Sequence, residues 1–393
     1  MRFSVVLWIS AGLGLASACA REAPPVHTPA SFAAYQAETR ELVAERRTFQ
    51  SDDRAAELDY NTPREWRPLG EKPQRAILLA HGLGDSPFSF SDIGPALAGK
   101  GFIVRTVLLP GHGTNPTDLI EVSADDWRRV VAEQTALLKQ EVGQVYLGGF
   151  STGANLVTAL ALADDEIDGL LLFSPGFKSD EGYEWMAPLI APFVTWLRDP
   201  EPNRPQQNPV RYLNVPTNGF GQFHHTSAEI SSALEDHPYE KPATIILTEH
   251  DSVLDVASIV ETFTERFTHP DSRLIWYGGP PAHDDPRILV RPDHLPEYRI
   301  SQFSHMSVLF APENRLYGRD GALRFCENGQ NDDFYARCKN GEEVWYSDWG
   351  FETPDRIHAR LTFNPYFEWQ MDLVAEVLGV PGPKVLTGQN AAP

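Results

Sequence analysis

The residues best suited to covalent chemistry lie in Gly149-Phe150-Ser151-Thr152-Gly153. The apolar run Gln144-Val-Tyr-Leu-Gly148 precedes this pentapeptide, and a helix-forming run over 154–163 follows it. A tight strand-to-helix turn lifts a serine hydroxyl clear of the backbone, and small residues on either side tolerate the strained geometry. A serine hydroxyl is a weak nucleophile at its own pKa and needs a neighbouring base, itself oriented by a third group. The chain offers 12 histidines for the base. Carboxylates for the third role cluster in Glu249-His250-Asp251-Ser252-Val253-Leu254-Asp255, directly after the apolar run Thr244-Ile-Ile-Leu-Thr248. Acids in such a place also serve as N-terminal charge for a helix starting near 255, favourable against its dipole.

These groups need a scaffold, and the surrounding sequence alternates. Apolar runs at 75–80, 102–109, 144–148 and 169–173 read as strands. Between them, Ser123 caps a helix running to about 140, with Trp127, Val130, Val131, Leu137 and Leu138 on one side. Continuous apolar strands separated by helices predict a parallel sheet covered on both faces. An earlier helix is expected after Thr28-Pro29, from the spacing of Phe32, Tyr35, Leu42 and Phe49. Residues 52–74 are polar and read as a connector. Proline and aromatic residues crowd 176–242, which reads as an insertion. Alternation resumes at 244–248, 256–267 and 273–277, and an irregular stretch then leads to a last helix near 366–378.

His81-Gly82-Leu83-Gly84 ends the first of these strands, and Leu109-Pro110-Gly111-His112-Gly113 follows the second. Together with the Ser151 pentapeptide they resemble the α/β-hydrolase superfamily, in the branch of monoacylglycerol lipases, carboxylesterases and serine aminopeptidases. The resemblance covers 75–175 and, in order and spacing, 243–310; it does not extend to 19–65 or 311–364. It implies an α/β-hydrolase fold, a mostly parallel sheet with helices on both faces and an inserted cap. The chain then divides into a signal peptide (1–18), a tether with N-terminal helix and connector (19–74), a first core segment (75–175), a cap (176–242), a second core segment with a long insert (243–379) and a tail (380–393).

The same resemblance implies the chain order serine, acid, histidine. Ser304-His305-Met306-Ser307-Val308 is similar to the family's histidine loop, so His305 is the implied base. His283 and His294 are the alternatives, while His81 and His112 precede Ser151 and read as structural. The acid of the family stands two residues before a Val-Val-like pair, which here is Asp251, with Asp255 and Glu249 as alternatives. Backbone amides of Leu83 and Thr152 are the implied oxyanion hole. Implied activity is hydrolysis of a small-molecule ester or acyl-lipid through an acyl-enzyme, with no metal or cofactor. Peptide or amide hydrolysis, and a non-catalytic binding protein on the same scaffold, are the alternatives. In the cap, Trp185, Met186, Leu189, Phe193, Trp196 and Leu197 recur at helical spacing, expected to hold the cap to the core or to wall an acyl site.

Composition narrows the partners. The formal charge is −21, from 33 basic and 54 acidic residues. So acidic a chain repels phosphate backbones and anionic lipid surfaces, which excludes nucleic acid as the main partner. The run from Phe3 to Ala18 is uncharged and mostly apolar, short for a membrane span and right for a signal-peptide core. It ends Leu15-Ala16-Ser17-Ala18-Cys19, which resembles a bacterial lipobox and implies lipidation at Cys19. Ala16-Ser17-Ala18 also reads as an ordinary cleavage site, which would leave a soluble exported protein. Cys326 and Cys338 remain as a pair, expected to be a disulfide across a polar loop in which Asn328-Gly329 and Asp332-Asp333 favour a turn.

Overall fold

A computed structural model describes residues 29–70, 73–180, 182, 184–201 and 204–380. The expected signal peptide, Cys19 and the tail beyond 380 lie outside the described residues. Eight strands form one sheet: β1 (Glu65–Trp66), β2 (Arg75–Ala80), β3 (Phe102–Thr106), β4 (Gln144–Phe150), β5 (Ile167–Phe173), β6 (Ala243–Thr248), β7 (Arg273–Tyr277) and β8 (Ile288–Arg291). Their spatial order is β1-β3-β2-β4-β5-β6-β7-β8. Only β1 runs antiparallel to its neighbour.

Successive side chains of a strand point to opposite faces. Ile77, Leu79, Phe150, Phe173, Ile246 and Ile275 therefore enter one core, and Ala76, Leu78, Leu147, Leu172, Ile245 and Leu274 enter the other; all are buried. Helices Phe32–Arg46, Ala124–Lys139, Thr152–Ala163 and Val256–Arg266 cover the second face. Ser123 and Asp126 start one of these with a reciprocal capping box, which aims Trp127, Val131 and Leu138 inward.

Several elements differ from the sequence reading. The first helix starts at Phe32 behind a Ser31 cap, and it buries Val43 and exposes Leu42. The connector holds a helix, Arg54–Tyr60, as well as β1. What fixes that helix is polar: Glu57 is buried with Arg47, Oε1 to Nε 2.8 Å, and Arg47 also donates to the carbonyls of Gly113, Asn208 and Pro209. An apolar pattern cannot reveal an element held this way. The stretch after β7 contributes β8, a helix Asp332–Lys339 and a parallel pair, β9 (Trp345–Ser347) and β10 (His358–Arg360). Its Phe303, Phe310, Tyr346 and Phe363 join the first core, together with the last helix, Phe367–Val377.

Cys326 and Cys338 are joined by a disulfide, and both are buried against that core. The segment between them bends as expected at Asn328-Gly329, with Gly329 at φ 81°, but not at Asp332-Asp333. Asp332 and Asp333 open the helix, capped by Asn331, where their charge meets the positive end of its dipole. Among the described residues no helix is long and apolar enough to cross a membrane.

Candidate active site

Ser151 sits between β4 and the helix Thr152–Ala163 with φ 53° and ψ −117°. That left-handed backbone is costly for a residue with a side chain and persists only where the surroundings impose it. Here they do. A Cβ at Gly149 would lie 2.4 Å from Ala154 N, and one at Gly153 would lie 2.0 Å from Ala80 O. Glycine at both positions lets the helix start press against the ends of β4 and β2. Because Ala80 pairs with Gly149 in register, the residues after these strands, His81 and Ser151, emerge at the same sheet edge. A Cβ at Gly82 would stand 3.2 Å from Ser151 Cβ, so the segment carrying Leu83 runs directly along the serine. Thr152 opens the helix, and its amide is one of the first-turn donors without an intrahelical acceptor.

His81 and His112 hold this loop from behind. His81 Nδ1 donates to Gly82 O (2.9 Å) and Nε2 accepts from Leu109 N–H (3.1 Å). His112 Nε2 accepts from Gly84 N–H at 3.0 Å, while its Nδ1 faces the carbonyls of Leu109 and Pro110. Each ring must therefore be neutral with its proton on Nδ1. Burial pushes His112 down to about 4 and, with His112 beside it, holds His81 well below the usual histidine range.

His305 stands over the same edge. Its ring centroid is 4.9 Å from that of Phe150, and its carbonyl accepts from Ser174 Oγ at the end of β5 (3.0 Å). Ser304 Oγ ties the loop to Leu361 O at 2.5 Å. His305 Nδ1 lies 2.7 Å from Asp251 Oδ2. A carboxylate only accepts, so Nδ1 carries a proton, and in the neutral ring the lone pair is on Nε2. Asp251 is buried, and its other oxygen accepts from Val253 N–H at 2.9 Å. The two alternative acids are engaged elsewhere. Asp255 caps the helix Val256–Arg266 through Ser258 N–H and pairs with Lys178 at 2.8 Å. Glu249 accepts from Gly279 N–H at 2.6 Å. Of the alternative histidines, His294 faces Ser301 O and His283 is exposed before β8.

Three nearby groups escaped the sequence reading. Asp85, buried directly after the segment His81–Gly84, lies 3.3 Å from Arg211 Nε and is held above the usual carboxylate range by burial. Asp348, from the insert, is pushed up to about 6, chiefly by burial and further by the charge of Asp251. Arg211 Nη1 touches Met306 Sδ at 3.3 Å, next to His305. Asp348 lies in the stretch 311–364, to which the family resemblance does not extend, and an acid in an irregular segment carries no signal of its own.

A cleft of about 490 Å³ opens between cap and insert, lined by six Arg and Lys side chains against three Asp and Glu. Arg211 and Tyr212 form part of its wall, and Tyr212 N–H donates to Gly84 O at 2.7 Å, so the cleft borders the segment His81–Gly84. Most of the apolar cap residues lie at the surface, with Trp196 half-buried. Their segment makes a short 3-10 turn, Glu184–Met186, and a one-turn helix, Ala187–Ile190, and Trp185, Met186, Leu189, Phe193 and Leu197 are exposed, Phe193 to 87%. Prolines at 188 and 192 prevent the longer helix that their spacing suggested. The long helix of the cap is Thr217–Asp236.

Residues 71–280 match the family described as Hydrolase_4, serine aminopeptidase S33. The chain belongs to this family. Its sheet order, elbow serine and cap are those of an α/β-hydrolase, and the family is one of serine hydrolases. The thermostable monoacylglycerol lipase of Bacillus sp. (strain H-257) is 33% identical over 95 residues, which make up 24% of this chain and 38% of that lipase. Among solved structures, a monoacylglycerol lipase of Paleococcus ferrophilus is 19% identical at a TM-score of 0.45, covering 57% of this chain and 91% of that one. A soluble variant of monoglyceride lipase from Saccharomyces cerevisiae is 16% identical at 0.45, covering 56% and 81%.

Proposed function

We propose that this hydrolase cleaves carboxylic esters of small molecules or acyl-lipids, as a carboxylesterase or monoacylglycerol-type lipase, through an acyl-enzyme on Ser151. The observation that carries the reading is the buried Asp251 carboxylate 2.7 Å from His305 Nδ1, beside a serine on a strained elbow. His305 Nε2 takes the Ser151 proton as Oγ attacks the ester carbonyl, and Asp251 stabilises the imidazolium. The amides of Leu83 and Thr152 hold the oxyanion, each worth about a hundred- to a thousandfold in rate by analogy with other such donors. Collapse breaks the ester bond, and His305 gives its proton to the departing alkoxide. Water then attacks the acyl-enzyme, losing its proton to His305, which returns it to Ser151 as the acid leaves.

Exposed apolar side chains on the cap suit a substrate with an acyl chain. The family description favours a second reading, removal of amino-terminal residues from peptides. An aminopeptidase must seat a free ammonium, and a cleft with an excess of cations beside the site opposes that. Export, with Cys19 lipidated, completes the proposal and rests on the sequence.

A fluorophosphonate probe should label Ser151 and leave Ser151→Ala unlabelled, with the variant folded and inactive on 4-nitrophenyl butyrate. Labelling retained in the variant would move the nucleophile. Faster turnover of aminoacyl-4-nitroanilides than of 4-nitrophenyl esters would favour the peptidase.

A further inference from the structure

We propose that the cleft between cap and insert is an anion subsite, and that the ester this enzyme takes carries a carboxylate or phosphate group seated between Arg211 and Arg360. The proposal rests on the ester-hydrolase reading above. Both guanidinium groups lie over the ring of Phe325, 5.7 and 5.9 Å from its centroid, and both line the cleft. The Nε of each is buried without a hydrogen-bond acceptor. A buried donor left unmade is costly, and the cost is recovered when an acceptor arrives. Two planar forks over one aromatic ring, near enough that the charge of Arg211 acts on Arg360, match the oxygens of a carboxylate or phosphate better than point charges do.

The surrounding groups satisfy this pair only in part. Arg198 and Arg204, at the rim, are paired with Glu201 and Glu327. Arg324 and Lys339, also in the lining, have no carboxylate within ion-pair distance among the described residues. Facing the inner pair are Asp85, 3.3 Å from Arg211 Nε but outside hydrogen-bond geometry, Asp348, and Glu327, which offers Arg360 only its backbone oxygen at 3.2 Å. Burial, against the attraction of Asp348, brings Arg360 down to about 10, with the charge of Arg211 adding to the fall. A local excess of cations on a chain of net charge −21 focuses anions toward this one mouth. Its place fits a substrate group and not a remote effector. Arg211 touches Met306, the neighbour of His305, and Trp349 lines the cleft beside Asp348, which feels the charge of Asp251.

The test is kcat/KM of the mature protein on two matched pairs. Mono-4-nitrophenyl adipate against 4-nitrophenyl heptanoate places the anion on the acyl side. 1-Butyrylglycerol 3-phosphate against 1-butyrylglycerol places it on the alcohol side. One pair should show a preference of about tenfold or more for the anionic member, the scale of one or two charge-assisted hydrogen bonds. Arg360→Gln should reduce that preference several-fold. Should that variant not fold, the rim double variant Arg324→Gln, Lys339→Gln should reduce it more modestly, with wild-type preference also shrinking in high salt. Turnover of the neutral esters with no preference in either pair, or a preference unchanged in both folded variants, overturns the anion subsite and leaves the hydrolase intact. Failure to hydrolyse any of the four, with no fluorophosphonate labelling of Ser151, overturns the hydrolase reading itself.

Discussion

Asp251 and Asp255 are four residues apart and do different work. Asp251 is buried, with one oxygen on His305 and the other on Val253 N–H. Asp255 is partly exposed, capping a helix and meeting Lys178. Asp251→Asn puts an amide where only an acceptor fits, so His305 loses its tautomer control, and kcat on 4-nitrophenyl butyrate should fall by about a thousand- to ten-thousandfold. Asp255→Asn keeps a good capping residue and loses a screened ion pair, so it should leave kcat within about twofold and cost under about 1 kcal/mol of stability. Equal losses in kcat would transfer the acid to Asp255. At this scale the elbow at Ser151 and the contact between Asp251 and His305 were legible, because the chemistry proposed for them demands particular residue types in a fixed chain order. Arg211, Arg360 and Asp348 were not. A charged residue in an irregular segment looks the same in sequence whether it faces water or a cleft.

The elements that carry these residues meet at the β2–β4 edge, where two neutral histidines act as spacers for the segment proposed to hold the oxyanion. His112 gives this element a pH signature. Its folded pKa of about 4 lies below the ordinary value of 6.5, so the unfolded chain binds its proton first as pH falls. The contribution is intact above about pH 6.5 and is lost progressively toward pH 4, by about 3 kcal/mol at most, with His81 adding in the same direction. Thermal melts should therefore show Tm dropping between pH 7 and 4.5. His112→Asn should start lower at pH 7, because Gly84 N–H loses its acceptor, and then drop less over the same interval. An equal or steeper drop in the variant would assign the acid sensitivity elsewhere. Sequence periodicity found β2, β4, β5, β6 and β7, whose residues are apolar on both faces. It missed the helix Arg54–Tyr60, which an ion pair buries, and β8, an edge strand whose Val290 is exposed.

At the scale of the whole molecule, two features compete to bring the enzyme to a membrane, and they predict different behaviour. One is the proposed lipid on Cys19, followed by residues 20–28 with Pro24 and Pro25, a composition suited to an extended spacer. The other is the exposed apolar cap surface of Trp185, Leu189, Phe193 and Leu197. A body of net charge −21 is repelled by anionic headgroups, so the cap patch works against a long-range force that the anchor avoids. Two or three acyl chains hold a protein stably where a single chain binds only marginally, and a few scattered side chains bury less apolar surface than one chain does. The anchor should therefore dominate. Wild-type protein should fractionate with membranes and incorporate labelled palmitate, and high salt should not release it. Cys19→Ser should abolish the label and leave the protein either soluble or uncleaved at its signal peptide, with esterase activity retained in the soluble form. Adding Phe193→Ser to the wild type should leave fractionation unchanged. If Cys19→Ser is cleaved and still pellets with membranes, while the Phe193→Ser addition releases it, attachment belongs to the cap and the lipid reading fails.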